Sequence, residues 1–389
     1  FKQKTAYEIR LSLVGSEMCI RDRFPATWAT LGWLEVGIAL AAPITGWILT
    51  VIPHGVQYLF LLPYTASRLG GPTGADIGFW IMHFCLFAIA TLVMVVPTSL
   101  MGATFPLAVR LYAGEDVGRS VGRVYASNTF GSIVGLFLTG FVLVRTVGTH
   151  AANLGWSVVN ALIGIGLLTL SLRRGERQAL SSRRVGLAAG GLALVIVGTP
   201  GWSLETLTSG VYYHVVELST PTLHGDIVFH TEDDLGLVTV HAVSQWDQVE
   251  PALTMKVNGK FMAGGGGRLP ILHPFAHIPI FMRGEGAKNA LVIGLGGGYT
   301  VEAALQHSFD QVDAAEISGG VIEAAHLTRP EIFKDRRLRV IEEDARSLLL
   351  TGSQKYDVII SETSDPWMTG VSNLYTVECF EWIRDKLAP

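Results

Sequence analysis

Four apolar runs of about twenty residues lie in the first half of the chain, and they constrain its fold more than any other feature. These runs cover residues 28–52, 77–96, 128–147 and 151–172. A transmembrane α-helix needs about 20 consecutive apolar residues to cross the hydrocarbon core of a bilayer. We therefore predict a helical transmembrane domain over residues 27–200, with further, less regular segments after Pro97 and over residues 185–198.

The charge content of the chain supports this interpretation. Charged residues make up 16% of the 389 residues and hydrophobic residues 49%, whereas a typical soluble domain carries roughly 25% charged residues. The formal net charge is -4 and there is no polybasic tract, which argues against a nucleic-acid partner. Cys19, Cys85 and Cys379 lie far apart in sequence, so we predict neither a disulfide framework nor a metal site.

Some residues inside the apolar runs have both a structural and a functional interpretation. Gly131 and Gly135 form a small-xxx-small pair, which favours close helix packing over the alternative of a moving transporter helix. Glu35 and His83 are ionisable groups in apolar surroundings, where function is the usual first hypothesis. Each is a single residue near a predicted helix end, and we interpret both as structural.

The sequence pattern changes after Pro200-Gly201, where strand-like segments replace the long apolar runs. Residues 227–229 and 237–243 alternate as strands do, and Asn258-Gly259 separates two further strand-like segments. An Asn-Gly pair tolerates the positive φ values of a type I′ turn, so this dipeptide is a strong hairpin signal. We predict a small β-subdomain over residues 205–265.

A glycine loop follows the next apolar segment. Residues 290–293 (ALVI) predict a short buried strand, which runs into Gly294, Gly296 and Gly298 and then into a helix from about Thr300. Glycines in a strand-turn-helix context permit a tight turn and allow the backbone to approach a ligand near a helix N-terminus. We therefore predict that these three glycines contact a nucleoside-type ligand.

Acidic residues then stand at three successive strand ends. Residues 311–315 end in Glu316, about 20 residues after the loop, where a carboxylate can bind both ribose hydroxyls. Residues 338–341 lead to Asp344, which can accept a hydrogen bond from an adenine amine, and residues 356–360 lead to SETSDP. Because ligands of open α/β sheets bind at the carboxyl ends of the strands, we expect one nucleoside-binding crevice within residues 270–389.

These segments resemble the spermidine synthase (polyamine aminopropyltransferase) family. The similar stretches are ALVIGLGGGYT, DAAEIS, EEDARSLLL, the residues from YDVIISETSDPW to the end, PTSLMGATFPLAVR, VGRVYASNTFGSIVGLFLTGFVL and LETLTSGVYYH. The closest pattern is that of bacterial membrane-bound forms fused to major-facilitator-like helices. The resemblance implies a transmembrane helical bundle, a small β-subdomain and a class I methyltransferase-like Rossmann domain that lacks its last strands.

The resemblance also implies a reaction and roles for the site residues. Decarboxylated S-adenosylmethionine would donate an aminopropyl group to a polyamine or other small cationic amine, releasing methylthioadenosine without a metal. The glycine loop and Glu316 would hold the nucleoside, and Asp344 with Ala345 the adenine. Glu362 falls at the general base of the family and Asp365 at its second carboxylate. A dicationic amine must lose a proton before it attacks, which a carboxylate can accept.

The chain departs from the soluble members of the family on the amine side of the site. Gly297 stands where they have an Asp in the glycine loop, and Glu362 is one methylene longer than their first motif Asp. Their small-domain Gln falls near Met262, and their Tyr-His pair falls near Ile271 and Leu272. Two alternatives therefore stay open: a methyltransferase that uses intact S-adenosylmethionine, and a transporter or sensor with a non-catalytic nucleoside-binding domain.

The sequence also leads to expectations about the cellular location of the protein and about the two ends of the chain. The family resemblance implies the inner membrane of a bacterium, with the lipid bilayer as a partner, and a homo-oligomer stays open. We expect the Rossmann domain on the cytoplasmic side, because no S-adenosylmethionine is expected outside the cell. Residues 1–26 are interpreted as a non-native or disordered lead, because they lack the apolar segment of a signal peptide. A doubly wound sheet would normally continue beyond Pro389, so we expect this stretch alone to be inactive.

Overall fold

The structure is a computed structural model, and it describes most of the chain in two compact units. The described residues are 26–112, 117–176, 182–210, 225–233, 235–244, 251–264, 269–362, 366 and 370–388. One unit runs to Trp202, apart from Pro53–Leu61, and the other comprises that short segment and the residues from Ser203 onwards. Asp365 and residues 1–25 of the predicted lead lie outside the described residues.

The first unit is built from apolar helices. The elements are α1 (Trp28–Tyr112), α2 (Val117–Phe137), a π-helical segment (Leu138–Leu143), α3 (Val144–Arg173) and α4 (Ser182–Gly198). Gly71 (φ 62°) interrupts α1 and Gly148 (φ 79°) interrupts α3. Only glycine adopts such positive φ values without steric cost, so the chain can change direction at both points. The segment after Pro97 is no separate helix, because α1 continues through it.

Three helical stretches among the described residues are long and apolar enough to cross a membrane. They are Trp28–Pro53, Asp76–Tyr112 and Gly118–Arg173, and α4 is shorter. The third stretch contains two of the four predicted spans, 128–147 and 151–172, which meet at Gly148. Membrane crossing itself stays a prediction, because these criteria concern length and composition alone.

Close packing in this unit occurs at glycines other than those predicted. A Cβ added at Gly164 would lie 2.9 Å from the backbone oxygen of Gly32, and one added at Gly32 would lie 2.9 Å from the backbone oxygen of Gly164. Gly131 and Gly135 would meet no atom within 4 Å. Their predicted helix contact is therefore wrong for the part of the chain that the structure describes, because α2 presents these glycines to open space.

The second unit begins with a four-stranded antiparallel sheet. Its strands, in spatial order, are β1 (Asp226–Asp233), β2 (Gly236–Val243), β3 (Ala252–Val257) and β4 (Lys260–Gly264). Asn258 (φ 51°) and Gly259 (φ 78°) form the turn between β3 and β4, as the Asn-Gly pair predicts. The Asn258 side chain also accepts a hydrogen bond from the backbone of Leu237 and donates one to Leu235, so it ties the two hairpins together.

A parallel sheet follows, with helices between its strands. The elements are α6 (Leu269–Arg283), β5 (Asn289–Ile293), α7 (Tyr299–Leu305), β6 (Gln311–Glu316), α8 (Gly319–Thr328), β7 (Leu338–Glu342), α9 (Ala345–Thr351), β8 (Val358–Ser361) and α10 (Val377–Lys386), after a short α5 (Leu204–Leu207). The spatial order is β7-β6-β5-β8. With β5 as first strand this is the order 3-2-1-4 of a doubly wound sheet, whose strand order reverses beside β5. This part of the chain therefore has a Rossmann-type fold.

A buried carboxylate joins three parts of the parallel sheet. Asp313, in the middle of β6, is fully buried. Its oxygens accept hydrogen bonds from Arg339 on β7 at 2.9 and 2.5 Å, and from the hydroxyl of Tyr356, just before β8, at 2.8 Å. Burial and the contact with Asp313 both raise the pKa of Tyr356. Because a buried charge is costly unless it is paired, this cluster helps to determine how the three strands pack.

Candidate active site

A cavity of about 460 Å³ lies at the carboxyl ends of the parallel strands. The predicted site residues that line it are Gly294, Gly296, Glu316, Asp344, Ala345 and Glu362. Residues of the antiparallel sheet and its turns, including Leu235, Met255 and Met262, form the opposite wall. The structure thus brings predicted site residues as far apart in sequence as Gly294 and Glu362 into one crevice.

The glycine loop has a conformation that side chains would disturb. Gly294, Gly296 and Gly298 all have positive φ, between 50° and 91°. A Cβ added at Gly294 would lie 3.1 Å from the backbone oxygen of Glu362. Gly298 lies at the start of α7, where an added Cβ would lie 2.8 Å from Ile332. Its position indicates a role in packing α7, whereas Gly294 and Gly296 border the cavity.

Glu316 orders the glycine loop from the end of β6. One carboxylate oxygen accepts hydrogen bonds from the backbone N–H groups of Leu295 (3.0 Å) and Gly296 (3.2 Å), and the other accepts one from Ser318 (3.1 Å). Burial raises the pKa of Glu316, although these N–H groups oppose the shift. The ribose contact predicted for Glu316 would therefore involve carboxylate oxygens that already accept backbone hydrogen bonds, one of them from the glycine loop.

Replacing Glu316 with Gln is expected to weaken nucleoside binding. The amide nitrogen of Gln would face backbone N–H donors, and hydrogen bonds to a charged group each contribute about 1.5–3 kcal/mol. Since about 1.4 kcal/mol corresponds to a tenfold change, we expect affinity for methylthioadenosine to fall roughly 10- to 100-fold in titration calorimetry. Glu323→Gln, at an exposed position on α8, is the matched control, and equal affinities for the two variants would contradict this role.

Asp344 has a partner that the sequence analysis missed. It caps the N-terminus of α9, and its carboxylate accepts hydrogen bonds from the guanidinium of Arg346, the shortest at 2.6 Å, and from the Arg346 backbone N–H at 2.9 Å. Burial favours a higher pKa for Asp344, but Arg346 outweighs it, and the net pKa lies below the usual value. Asp344 therefore stays ionised, and Arg346 lines the same cavity. The sequence does contain a signal for this pair, because Arg346 is a basic residue two positions after an Asp that caps a helix.

Glu362 lies where two cavities meet. It lines the larger cavity and also a second one of about 220 Å³, and Met262, Gly294 and Gly296 are likewise shared by both. Burial raises the pKa of Glu362 to about 7. The Thr300 hydroxyl on α7 donates a hydrogen bond to its Oε2. A carboxylate with this pKa can exchange a proton near neutral pH. Asp365, the second predicted acid, lies outside the described residues.

The second cavity lies where the chain departs from the soluble enzymes that it resembles. Gly297 and Leu272 line it together with Tyr299. A Cβ added at Gly297 would lie 2.3 Å from the Cβ of Ala263 on β4, so the hairpin leaves no space for a side chain at position 297. Within the described residues, no group of three or more His, Cys, Asp or Glu side chains is placed to hold a metal ion.

The fold and the position of the cavity define a Rossmann-type domain with a crevice at the carboxyl ends of its parallel strands. Residues 273–389 match the spermine/spermidine synthase domain. The comparisons thus relate this region to the spermidine synthase family.

Individual relatives point to the same family. The chain is 25% identical over 305 residues to polyamine aminopropyltransferase 1 of Streptomyces coelicolor, covering 75% of this chain and 54% of the relative. It is 34% identical over 125 residues to the polyamine aminopropyltransferase of a Synechococcus strain, covering 31% of this chain and 40% of the relative. The chain spans about half the length, or less, of these curated relatives. The solved spermidine synthase of Thermotoga maritima aligns with 23% identity and a TM-score of 0.36, covering 41% of this chain and 53% of that one.

Proposed function

We propose that this protein is a membrane-bound aminopropyltransferase that uses decarboxylated S-adenosylmethionine and an amine acceptor. The observation that carries the proposal is the position of Glu362, a carboxyl group at the junction of two cavities whose pKa burial raises to about 7. The larger cavity would receive the nucleoside donor and the smaller one the amine. The aminopropyltransferases to which the chain is similar support this assignment.

The proposed reaction is a displacement at carbon. The acceptor ammonium first gives a proton to Glu362, and its nitrogen lone pair then attacks the methylene carbon beside the sulfonium. The new C–N bond forms as the C–S bond breaks, and the bonding electrons pass to sulfur, so neutral methylthioadenosine leaves. The reaction is faster when both reactants are bound at the right distance, because it then becomes effectively unimolecular.

The other site residues have binding roles in this proposal. Glu316 and the glycine loop would hold the ribose and Asp344 with Ala345 the adenine, as the family resemblance implies. Asp365 would hold the distal ammonium of a diamine. The three apolar helical stretches would anchor the enzyme in a bacterial inner membrane, with the Rossmann domain on the cytoplasmic side, where S-adenosylmethionine is expected.

An assay of the protein in lipid nanodiscs tests this function. The protein is incubated with decarboxylated S-adenosylmethionine and a panel of amines that includes putrescine, cadaverine, spermidine and simple monoamines. We expect amine-dependent release of methylthioadenosine and a product that is heavier by one aminopropyl group. No release with any amine would refute the proposal, and methyl transfer from intact S-adenosylmethionine would replace it with a methyltransferase.

A further inference from the structure

Thr300 occupies a position from which it can control the carboxylate of Glu362. It lies in the first turn of α7, its side chain is almost fully buried, and its hydroxyl donates a hydrogen bond to Oε2 of Glu362. The two residues are 62 positions apart in sequence. The contact joins the helix that follows the glycine loop to the segment that follows β8, so it forms only when the parallel sheet is folded.

The backbone of Glu362 lies against the glycine loop, and its side chain has the Thr300 hydroxyl as a partner. The Glu362 backbone oxygen lies close to Gly294, where an added Cβ would be 3.1 Å away. Branching at Cβ restricts the χ1 angle of threonine, and the buried position of Thr300 leaves its side chain little space to turn. A glutamate has more side-chain freedom than an aspartate, and it gains correspondingly more from a partner that restricts one of its oxygens.

We propose that Thr300 is a positioning residue for the transfer reaction: its hydroxyl holds Oε2 of Glu362 so that Oε1 faces the arriving amine. The inference rests on the proposed aminopropyl transfer. A hydrogen-bond donor to an ionised carboxylate in general favours the charged form. Loss of the hydroxyl therefore makes Glu362 harder to ionise and less well oriented.

Two substitutions of Thr300 separate positioning from packing. Thr300→Val keeps the branched shape and removes the hydroxyl, whereas Thr300→Ser keeps the hydroxyl and removes a methyl group. We expect Thr300→Val to lower kcat roughly 10-fold at pH 7, because hydrogen bonds to charged groups are among the stronger ones. The low-pH limb of its kcat profile should shift upward by about half a pH unit to one unit. Thr300→Ser should restore the position of that limb.

Thr328→Val is the matched control. The Thr328 hydroxyl donates only to a backbone carbonyl within α8, so this variant should keep the wild-type rate and pH profile. An unshifted limb in Thr300→Val, or a shift in Thr300→Val that Thr300→Ser fails to reverse, would overturn the positioning role while leaving the proposed function intact.

A second measurement keeps the inference testable if the enzyme assay fails. Glutamate side chains are labelled with ¹³C at the carboxyl carbon, and the Glu362 signal is assigned by its loss in Glu362→Gln. Titration of this signal in the wild type and in Thr300→Val compares the two pKa values directly. A higher pKa in Thr300→Val supports the contact, and equal values refute it, whether or not the protein transfers aminopropyl groups.

Discussion

Glu362→Gln is expected to lower kcat by roughly 10²–10⁴, the usual contribution of a positioned general base. The amide cannot accept the proton that the ammonium must lose, while its size and its place between the two cavities are preserved. The measurement is methylthioadenosine release at saturating donor and amine. Glu381→Gln, at an exposed position on α10, is the control, and a Glu362→Gln variant with the control's kcat would remove Glu362 from the mechanism.

The wild-type profile should report the ionisation of the same group. Because Glu362 accepts a proton only when it is ionised, kcat should rise with pH and reach half its maximum near pH 7, where burial places the pKa. This rise of kcat with pH should be absent in Glu362→Gln.

The stability of the variant separates this effect from unfolding. Since the folded-state pKa lies above the ordinary value of 4.5, ionisation of Glu362 opposes folding. The cost is absent below about pH 4.5 and complete above about pH 7. Gln removes this cost, so Glu362→Gln should be at least as stable as the wild type at neutral pH. Lower stability of the variant at pH 8 would contradict this explanation.

Asp313→Ala is expected to lower the local stability of the parallel sheet by about 3 kcal/mol, near the lower end of the range for breaking a buried pair. We expect this smaller loss of stability because the Arg339 side chain is 55% exposed and can be solvated by water when Asp313 is removed. The Tyr356 hydroxyl is buried and loses its acceptor. Hydrogen exchange should show β6 and β7 amides roughly 100-fold less protected, as about 1.4 kcal/mol corresponds to tenfold.

Asp310→Ala provides the comparison for this variant. Asp310 lies just before β6 and is exposed, and surface substitutions of this kind usually change stability by less than about 0.5 kcal/mol. Equal protection of β6 in the two variants would mean that the Asp313 cluster does not stabilise the sheet.

The parallel sheet could be predicted from local sequence because short apolar strands with glycine or acidic ends are self-contained signals. The prediction of residues 290–293 and 311–315 as strands agrees closely with β5 (Asn289–Ile293) and β6 (Gln311–Glu316). Doubly wound topology then requires the strand ends to meet at one edge, and the six cavity-lining residues follow from that rule.

Contacts between distant side chains could not be predicted in this way. The Thr300–Glu362 pair depends on rotamers and on how α7 packs, which no periodicity specifies. The helix contact was assigned to Gly131 and Gly135 because their spacing is typical, yet Gly32 and Gly164 make it. Small residues indicate that a close approach is tolerated, but the partner depends on which helix faces meet.

The close approach of Gly297 and Ala263 means that the residue tolerated at one of these positions depends on the residue at the other. Restoring an acid to the glycine loop by Gly297→Asp alone would force its Cβ to within 2.3 Å of Ala263, so the single step should be disruptive. An accompanying Ala263→Gly exchange would remove this contact and leave only the Tyr299 ring, 3.0 Å from the added Cβ, to shift. Substitutions at positions 263 and 297 should therefore be non-additive in their effects on stability.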